Sequence, residues 1–332
     1  MIVGSGSEYV LGPELGSLIV DEYVGDTDIQ GCYSGHGKAT FRSGNSYIGE
    51  FRRGAMDGRG RYIWKSNGTI YEGDFSKNEL VGIGLYTWNN GCSYEGGVIS
   101  GLRNGEGMFT SADGTLVYEG AWKDSKRHGY GVQRYGVGTS SVSSFAGEWR
   151  GNVRHGHGTM TYASGNKYEG GWVEDHKNGE GTMTWVHRRE RYTGEWKEDQ
   201  QCGYGEHVWI EDRPETPLAI DTQKQMCNVY RGQWLAGMRH GQGTFLYADE
   251  SRYVGYWYEN KKHGPAVFIS ANGRTFEGRF KDDFMVGKMC QDEERPELSS
   301  SVKLNISDIV RCGHEVDATA IVREVERSAL QV

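Results

Sequence analysis

The chain has 332 residues, of which 36% are hydrophobic, and it carries 51 glycines and a formal net charge of -8 at pH 7. So few apolar residues argue against a deep globular core, and the negative charge disfavours nucleic acid and anionic membranes as partners of the whole protein. The sequence shows neither a secretory signal nor a run near the ~20 apolar residues of a membrane span. We therefore expect a cytoplasmic chain that does not cross a membrane. The six cysteines lie singly, which predicts reduced thiols.

A repeated segment organises the chain from residue 23 onward. Each copy opens with an aromatic residue and has a glycine two positions later, and the usual step between copies is 23 or 24 residues. The opening aromatics are Tyr23, Tyr47, Tyr71, Tyr94, Tyr118, Phe145, Tyr168, Tyr192, Tyr230, Tyr253 and Phe276. From the second copy onward another glycine lies eleven positions after the opening aromatic, and all ten tryptophans lie four or seventeen positions after it.

The order Y-x-G-x-W has a period of two, so its Tyr, Gly and Trp lie on one face of a β-strand and the largely acidic residues between them lie on the other. Six or seven polar residues then precede the next glycine-rich run, which predicts a hairpin turn of that length. We therefore predict an all-β fold. It is an elongated, single-layer antiparallel sheet of about ten to eleven β-hairpin repeats, with a short C-terminal α-helix.

Taken in order, residues 1–22 form an N-terminal lead-in and residues 23–288 form the repeat array. Insertions at residues 137–144 and 211–229 lengthen two loops of the array, and the second is either a flexible excursion or a contact loop. Residues 289–332 are an acidic linker and a tail whose last part reads as an amphipathic helix, with Val316, Ile321 and Val325 on its apolar stripe. This helix either caps the sheet or docks onto another chain.

The residues predict no catalytic, cofactor-binding or metal-binding site. Four histidines, His128, His155, His240 and His263, each precede the glycine at position eleven of a different copy, so they do not converge, and we predict that they are turn residues. No serine, cysteine or aspartate has an identifiable base and orienting partner, and no glycine run has the spacing of a nucleotide-binding loop.

Basic residues recur around the predicted turns, and they form either a basic edge of the array or ordinary solvated turns. These residues are Lys126, Arg127, Arg154, Lys177, Arg239, Lys261 and Lys262.

The combination of Y-E-G-x-W with H/N-G-x-G-T-x-x-Y resembles the MORN repeat, and the resemblance covers residues 23–288. It implies an elongated antiparallel sheet and a non-enzymatic scaffold, because enzymes of this family carry a separate catalytic domain. Lipid contact is proposed for some members, which leaves a peripheral membrane or phosphoinositide-binding tether as the alternative function.

The long array and the tail SSSVKLNISDIVRCGHEVDATAIVREVERSAL are most similar to family members of the radial spoke head in motile cilia. This resemblance implies a location in the axoneme of a cilium or flagellum. The partners that it implies are other radial spoke head proteins and, as a further candidate, another MORN array.

A single-layer sheet has no second layer over its aromatic face, so we expect that face to stay open as a partner-binding groove. Its candidate residues are Tyr118, Trp122, Trp149, Tyr168, Trp172, Trp185, Tyr192, Trp196, Tyr230, Trp234, Tyr253 and Trp257. The candidate docking helix contributes Val316, Ile321 and Val325.

Overall fold

The computed structural model describes residues 14–210 and 227–288. Within them it contains 22 β-strands and no helix, so the all-β prediction is confirmed for this part of the chain. The predicted helix with Val316, Ile321 and Val325 lies outside the described residues.

The chain divides into two compact units, Met1–His187 and Arg188–Val332. The strands of the first unit are β1 Val20–Thr27, β2 Tyr33–Phe41, β3 Ser46–Arg52, β4 Ala55–Ile63, β5 Ile70–Ser76, β6 Glu79–Thr87, β7 Ser93–Ile99, β8 Leu102–Thr110, β9 Leu116–Lys123, β10 Lys126–Tyr135, β11 Ser143–Arg150, β12 Val153–Thr161, β13 Lys167–Val173 and β14 His176–Trp185. Those of the second unit are β15 Glu190–Lys197, β16 Gln200–Ile210, β17 Cys227–Leu235, β18 Met238–Leu246, β19 Arg252–Tyr258, β20 Lys261–Ile269, β21 Thr275–Lys281 and β22 Phe284–Lys288.

Within each unit every strand pairs antiparallel with the strand that follows it in the chain, so each unit is an open meander. Each sequence copy forms one hairpin, as predicted. The copy that opens at Tyr168, for example, consists of β13 and β14, which pair from Lys167 opposite Thr184 to Val173 opposite His176. Residues 137–142 lie between β10 and β11, so the first insertion lengthens that connection.

The hairpin turns are shorter than the sequence pattern suggested. Glu174 and Asp175 alone connect β13 to β14, and both have positive φ angles, 48° and 69°. Two successive positive φ angles define a type I′ turn, whose twist matches the twist of the flanking strands. The predicted turn of six or seven residues is therefore wrong, because the polar residues after Asp175 belong to β14. The prediction that the regular histidines are turn residues is wrong for the same reason, since His155 lies in β12 and His240 in β18.

A ladder of directly paired glycines crosses the first unit at the middle of its strands, and in the second unit it runs from Gly194 to Gly255, which pairs with Ala266. In the first unit its members are Gly25, Gly37, Gly49, Gly60, Gly73, Gly84, Gly96, Gly107, Gly120, Gly131, Gly147, Gly158, Gly170 and Gly181. The ring of Tyr168 lies over the ladder, so a Cβ atom added at Gly181 would stand 2.3 Å from the Tyr168 hydroxyl oxygen. These strands therefore need glycine because an aromatic ring lies against the backbone.

The glycine eleven positions after the opening aromatic has a different role. Three residues of β12, around Gly156, lie opposite Glu148 alone, which forms a β-bulge. Gly156 takes a left-handed conformation with φ at 65°, and the Glu148 carboxylate accepts the bulge N–H of His157 at 3.0 Å. The acidic residues opposite the aromatic face thus fall into two classes, because Glu148 binds the bulge backbone whereas Glu169 binds the ammonium group of Lys167 at 2.8 Å.

Candidate functional site

The predicted aromatic face is closed by its own side chains. Of the twelve candidate residues, the five tyrosines are 0–1% exposed and the tryptophans other than Trp185 are 2–6% exposed, whereas Trp185 is half-buried. The expectation that a single layer leaves these rings uncovered is wrong. Whether a partner contacts this face stays a prediction.

Ring packing between neighbouring repeats explains this burial. The Trp172 ring meets the Tyr168 ring at 5.2 Å and 89°, and it meets the Phe145 ring of the preceding repeat at 5.3 Å and 84°. Such edge-to-face contacts are the preferred geometry of aromatic pairs. Trp149 makes the same two contacts, with Phe145 and with Tyr118 of the preceding repeat, so both tryptophans seal the gap between their own repeat and the one before it.

The polar atoms of the rings bind the backbone. The Tyr168 hydroxyl donates to the Gly171 carbonyl at 3.1 Å, and the Trp172 indole N–H donates to the carbonyl of Gly158 at 3.1 Å. Burial raises the pKa of Tyr230 and Tyr253, which occupy the position of Tyr168, so both phenols stay neutral donors. These rings are thus buried core residues whose polar atoms are hydrogen-bonded.

Basic side chains complete the junction between repeats. The guanidinium of Arg154 lies over the Trp172 ring at 4.4 Å, its Nε lies 2.8 Å from an Asp175 carboxylate oxygen, and it donates to the Asp175 carbonyl at 2.9 Å. Arg127 stacks on Trp149 at 4.2 Å in the same way. Equivalent clamps join Arg103 to Trp122 and Arg239 to Trp257.

The Arg154 clamp ties its hairpin to the turn of the next one. The backbone N–H of Arg154 donates to the Asp175 side chain at 2.9 Å, and the N–H of Asp175 donates back to the carbonyl of Arg154 at 3.1 Å. The expected alternatives of a free basic edge or solvated turns therefore fail for Arg127, Arg154 and Arg239, which are structural. Lys126 and Lys261 are exposed.

The described residues contain no group of three or more His, Cys, Asp or Glu side chains that could hold a metal ion. His207 is the most perturbed titratable group outside the tyrosines. It stacks on Trp209 at 4.0 Å, and burial, with the charges of two arginines, lowers its pKa to about 4 although its Nε2 lies 3.4 Å from a Glu190 oxygen. Burial prevails over this one carboxylate, so His207 is a neutral core residue. It occupies the position that Tyr62 and Tyr86 hold in other repeats.

A binding arrangement that the sequence pattern did not predict lies at the loop edge of the first unit. Residues 14–19 lie against the loop between β2 and β3 without forming a strand. Arg42 N–H donates to the Ile19 carbonyl at 2.8 Å, and the Ser43 hydroxyl reaches the Ser17 carbonyl at 3.4 Å.

The same segment continues onto the neighbouring repeat. Asn45 Nδ2 donates to the Leu15 carbonyl at 3.0 Å, Tyr62 donates to that carbonyl as well, and the Trp64 indole N–H donates to the Glu14 carbonyl at 2.9 Å. The loop edge therefore binds this segment through its backbone carbonyls, and Gly16 within it takes a left-handed conformation with φ at 70°. The S-G-N sequence of the loop, which recurs at residues 164–166, is the signal that marks this arrangement.

Within the described ranges, no helix has the length and apolar character that a membrane span needs. Within each unit, successive hairpins pair in chain order around a shared aromatic core, which defines a β-hairpin repeat protein. The MORN repeat model matches residues 47–69, 71–93, 94–116, 118–140, 145–167, 168–186, 192–210, 230–252 and 253–273. These segments cover more than half of the chain, which belongs to the MORN repeat family.

Two curated relatives share part of the array. MORN repeat-containing protein 3 of Xenopus laevis is 33% identical over 93 residues, which is 28% of this chain and 32% of that protein. Alsin of Rattus norvegicus is 30% identical over 145 residues, which is 42% of this chain and 9% of alsin. The similarity thus spans at most about a third of either relative. It is consistent with a repeat scaffold.

Proposed function

We propose that the protein is a non-enzymatic structural scaffold of the radial spoke head, in the axoneme of motile cilia or flagella. The observation that carries the scaffold role is the clamp between repeats, in which Arg154 binds Trp172 and Asp175 of the next hairpin. Because each repeat is fixed to its neighbour, a unit can hold partners at set positions along its length. The partners that we propose are other radial spoke head proteins and another MORN array.

The assignment to the radial spoke rests on resemblance. The tail after residue 289 is similar to that of radial spoke head protein 10 homologue B, as is the long uninterrupted array. In this proposal the tail docks through Val316, Ile321 and Val325, and the array supplies the rigid part. The guanidinium groups of Arg127, Arg154 and Arg239 are already stacked on aromatic rings and hydrogen-bonded to backbone carbonyls. These contacts disfavour the alternative function of a phosphoinositide-binding tether.

The test uses the full tagged chain in multiciliated cells. We expect the protein in the axoneme, with chemical cross-links to radial spoke head proteins. Liposome co-sedimentation with phosphatidylinositol bisphosphate vesicles tests the tether, and we expect no enrichment over neutral vesicles. Binding to those vesicles together with absence from the axoneme would reverse the assignment.

A pair of tail variants tests docking separately. Replacing Val316, Ile321 and Val325 together by Asp should abolish incorporation into axonemes, while replacing all three by Leu should preserve it, because only the first change removes the apolar stripe. The thermal unfolding of both purified variants should match that of the parent chain. Equal incorporation of the two variants would remove the tail from the mechanism.

A further inference from the structure

The first unit contains two loops that share the sequence S-G-N and the same turn geometry, and only one of them is covered by residues 14–19. Residues 41–45 read F-R-S-G-N and residues 162–166 read Y-A-S-G-N. In both loops the glycine N–H donates to the first residue's carbonyl, at 2.7 Å for Gly44 and 2.8 Å for Gly165. The two glycines have φ angles of 81° and 80°.

The match extends to the asparagine and to the next hairpin. Asn45 Oδ1 accepts the N–H of Lys65 at 3.1 Å, and Asn166 Oδ1 accepts the N–H of Val186 at 3.0 Å. Lys65 directly follows Trp64, and Val186 directly follows Trp185. The pair of Asn166 and Trp185 therefore reproduces the pair of Asn45 and Trp64 on an equivalent backbone.

At the first loop, these groups bind a peptide. Ser43, Asn45 and Trp64 bind the carbonyls of Ser17, Leu15 and Glu14 in turn, as described above.

The second loop presents the corresponding groups at a more open surface. Asn45 and Trp64 are 5% and 2% exposed beneath residues 14–19, whereas Asn166 and Trp185 are half-buried and Val186 is 51% exposed. The N–H of Ala163, which corresponds to that of Arg42, donates to the Ser143 hydroxyl at 3.0 Å. The corresponding peptide-binding groups are thus Ser164, Asn166 and Trp185.

We propose that Ser164, Asn166 and Trp185 form a binding site for a peptide segment of a partner protein. The groups bind backbone carbonyls, so the site tolerates different side chains wherever the segment can adopt the required backbone conformation. The segment at the first loop reads E-L-G-S, and its glycine, Gly16, has a φ angle of 70°. Met183, which is buried, holds the Tyr62 position at the second loop and has no hydroxyl group to donate to the peptide. The expected partner segment therefore carries a glycine between the carbonyls that bind Asn166 and Ser164.

Peptide binding at this loop is a function in addition to the scaffold role, because it does not depend on which assembly the chain joins. The probe is a fluorescein-labelled peptide of residues 12–20, GPELGSLIV, titrated against the full chain. We expect saturable binding with one site. A probe with Gly16→Val should bind at least tenfold more weakly, because a β-branched residue disfavours the positive φ angle of Gly16.

Variants of the protein locate the site. Asn166→Asp keeps the oxygen that accepts the Val186 N–H but removes the Nδ2 donor and places a charge against the peptide carbonyl, so we expect binding about tenfold weaker. Trp185→Phe removes the indole N–H together with part of the ring and should weaken binding about fivefold. Asn90→Asp, in the exposed loop between β6 and β7, is the matched control and should change binding by less than twofold.

Amide hydrogen exchange at Val186 checks that Asn166→Asp leaves the loop folded, because that N–H stays bound to the same side-chain oxygen. The proposal is overturned if the parent chain shows no saturable binding of the probe. The same result is expected if another stretch of the same chain occupies the site. Binding that is equally weakened by Asn90→Asp, or unaffected by Asn166→Asp and Trp185→Phe, would overturn it too.

Discussion

Replacing Arg154 by Met tests the clamp that joins one repeat to the next. The change removes a cation stacked 4.4 Å from the Trp172 ring and an ion pair of 2.8 Å with Asp175, while it keeps most of the apolar stem. A partly desolvated cation–π contact contributes about 1–2 kcal/mol. The ion pair adds up to about 1 kcal/mol, because the side chains are 21% and 43% exposed and solvent screens them. We therefore expect a local loss of about 2 kcal/mol.

Native-state hydrogen exchange is the suitable assay, since repeats open locally and one global unfolding free energy does not describe them. A loss of about 2 kcal/mol should accelerate exchange of the Asp175 amide roughly 30-fold. Arg150→Met, which removes an exposed guanidinium from β11, is the control and should leave this amide unchanged. Equal acceleration in both variants, or acceleration spread evenly over all strands, would refute the clamp.

A compensating change strengthens this test. Met56 and Phe75 occupy the positions of Arg154 and Trp172 in an earlier pair of repeats, and they are 1% and 3% exposed. The double variant Arg154→Met with Trp172→Phe recreates this apolar pair. It should therefore exchange more slowly than the sum of the two single effects predicts.

Three further variants test the ladder, the bulge and the buried imidazole. Gly181→Ala should destabilise β13 and β14 by about 1–3 kcal/mol, because its Cβ would meet the buried Tyr168 ring, and denaturant unfolding followed by exchange measures this. Glu148→Ala should cost about 1 kcal/mol and speed exchange of the His157 amide, which loses its acceptor. The pKa of His207 is lowered to about 4 in the folded chain, so the unfolded chain binds a proton more readily than the folded chain as the pH falls below 7. The free energy of unfolding of the second unit should therefore fall by about 2 kcal/mol between pH 7 and pH 5. His207→Phe should remove that dependence.

Each variant has a control within the chain. Gly114 lies in an open loop, so Gly114→Ala should lower the free energy of unfolding only by the strain of a left-handed residue, about 1–2 kcal/mol. Glu169→Ala removes an exposed carboxylate and should have almost no effect on stability. A pH dependence that persists in His207→Phe would show that other groups cause it. Unchanged stability in Gly181→Ala would contradict the placement of the Tyr168 ring.

The sequence by itself determined the repeat, its phase and its hairpins. The spacing of Tyr168, Gly170 and Trp172 placed all three on one face, and the structure has Tyr168 and Trp172 buried there around the glycine. Such a period is local, because side chains alternate along a single strand whatever that strand pairs with. For this reason the fold class and the number of hairpins could be predicted without any knowledge of contacts.

Tertiary structure decided how the aromatic face is used. Its closure depends on Trp172 meeting a ring of the preceding repeat and on Arg154 lying over it, and both contacts join residues of different hairpins. The two-residue turns were also missed, because polarity marks a turn region but the backbone angles of Glu174 and Asp175 mark the turn itself. The sequence did not identify the S-G-N loop as a binding site, because only the folded chain brings residues 14–19 against one copy of the loop and next to Trp64.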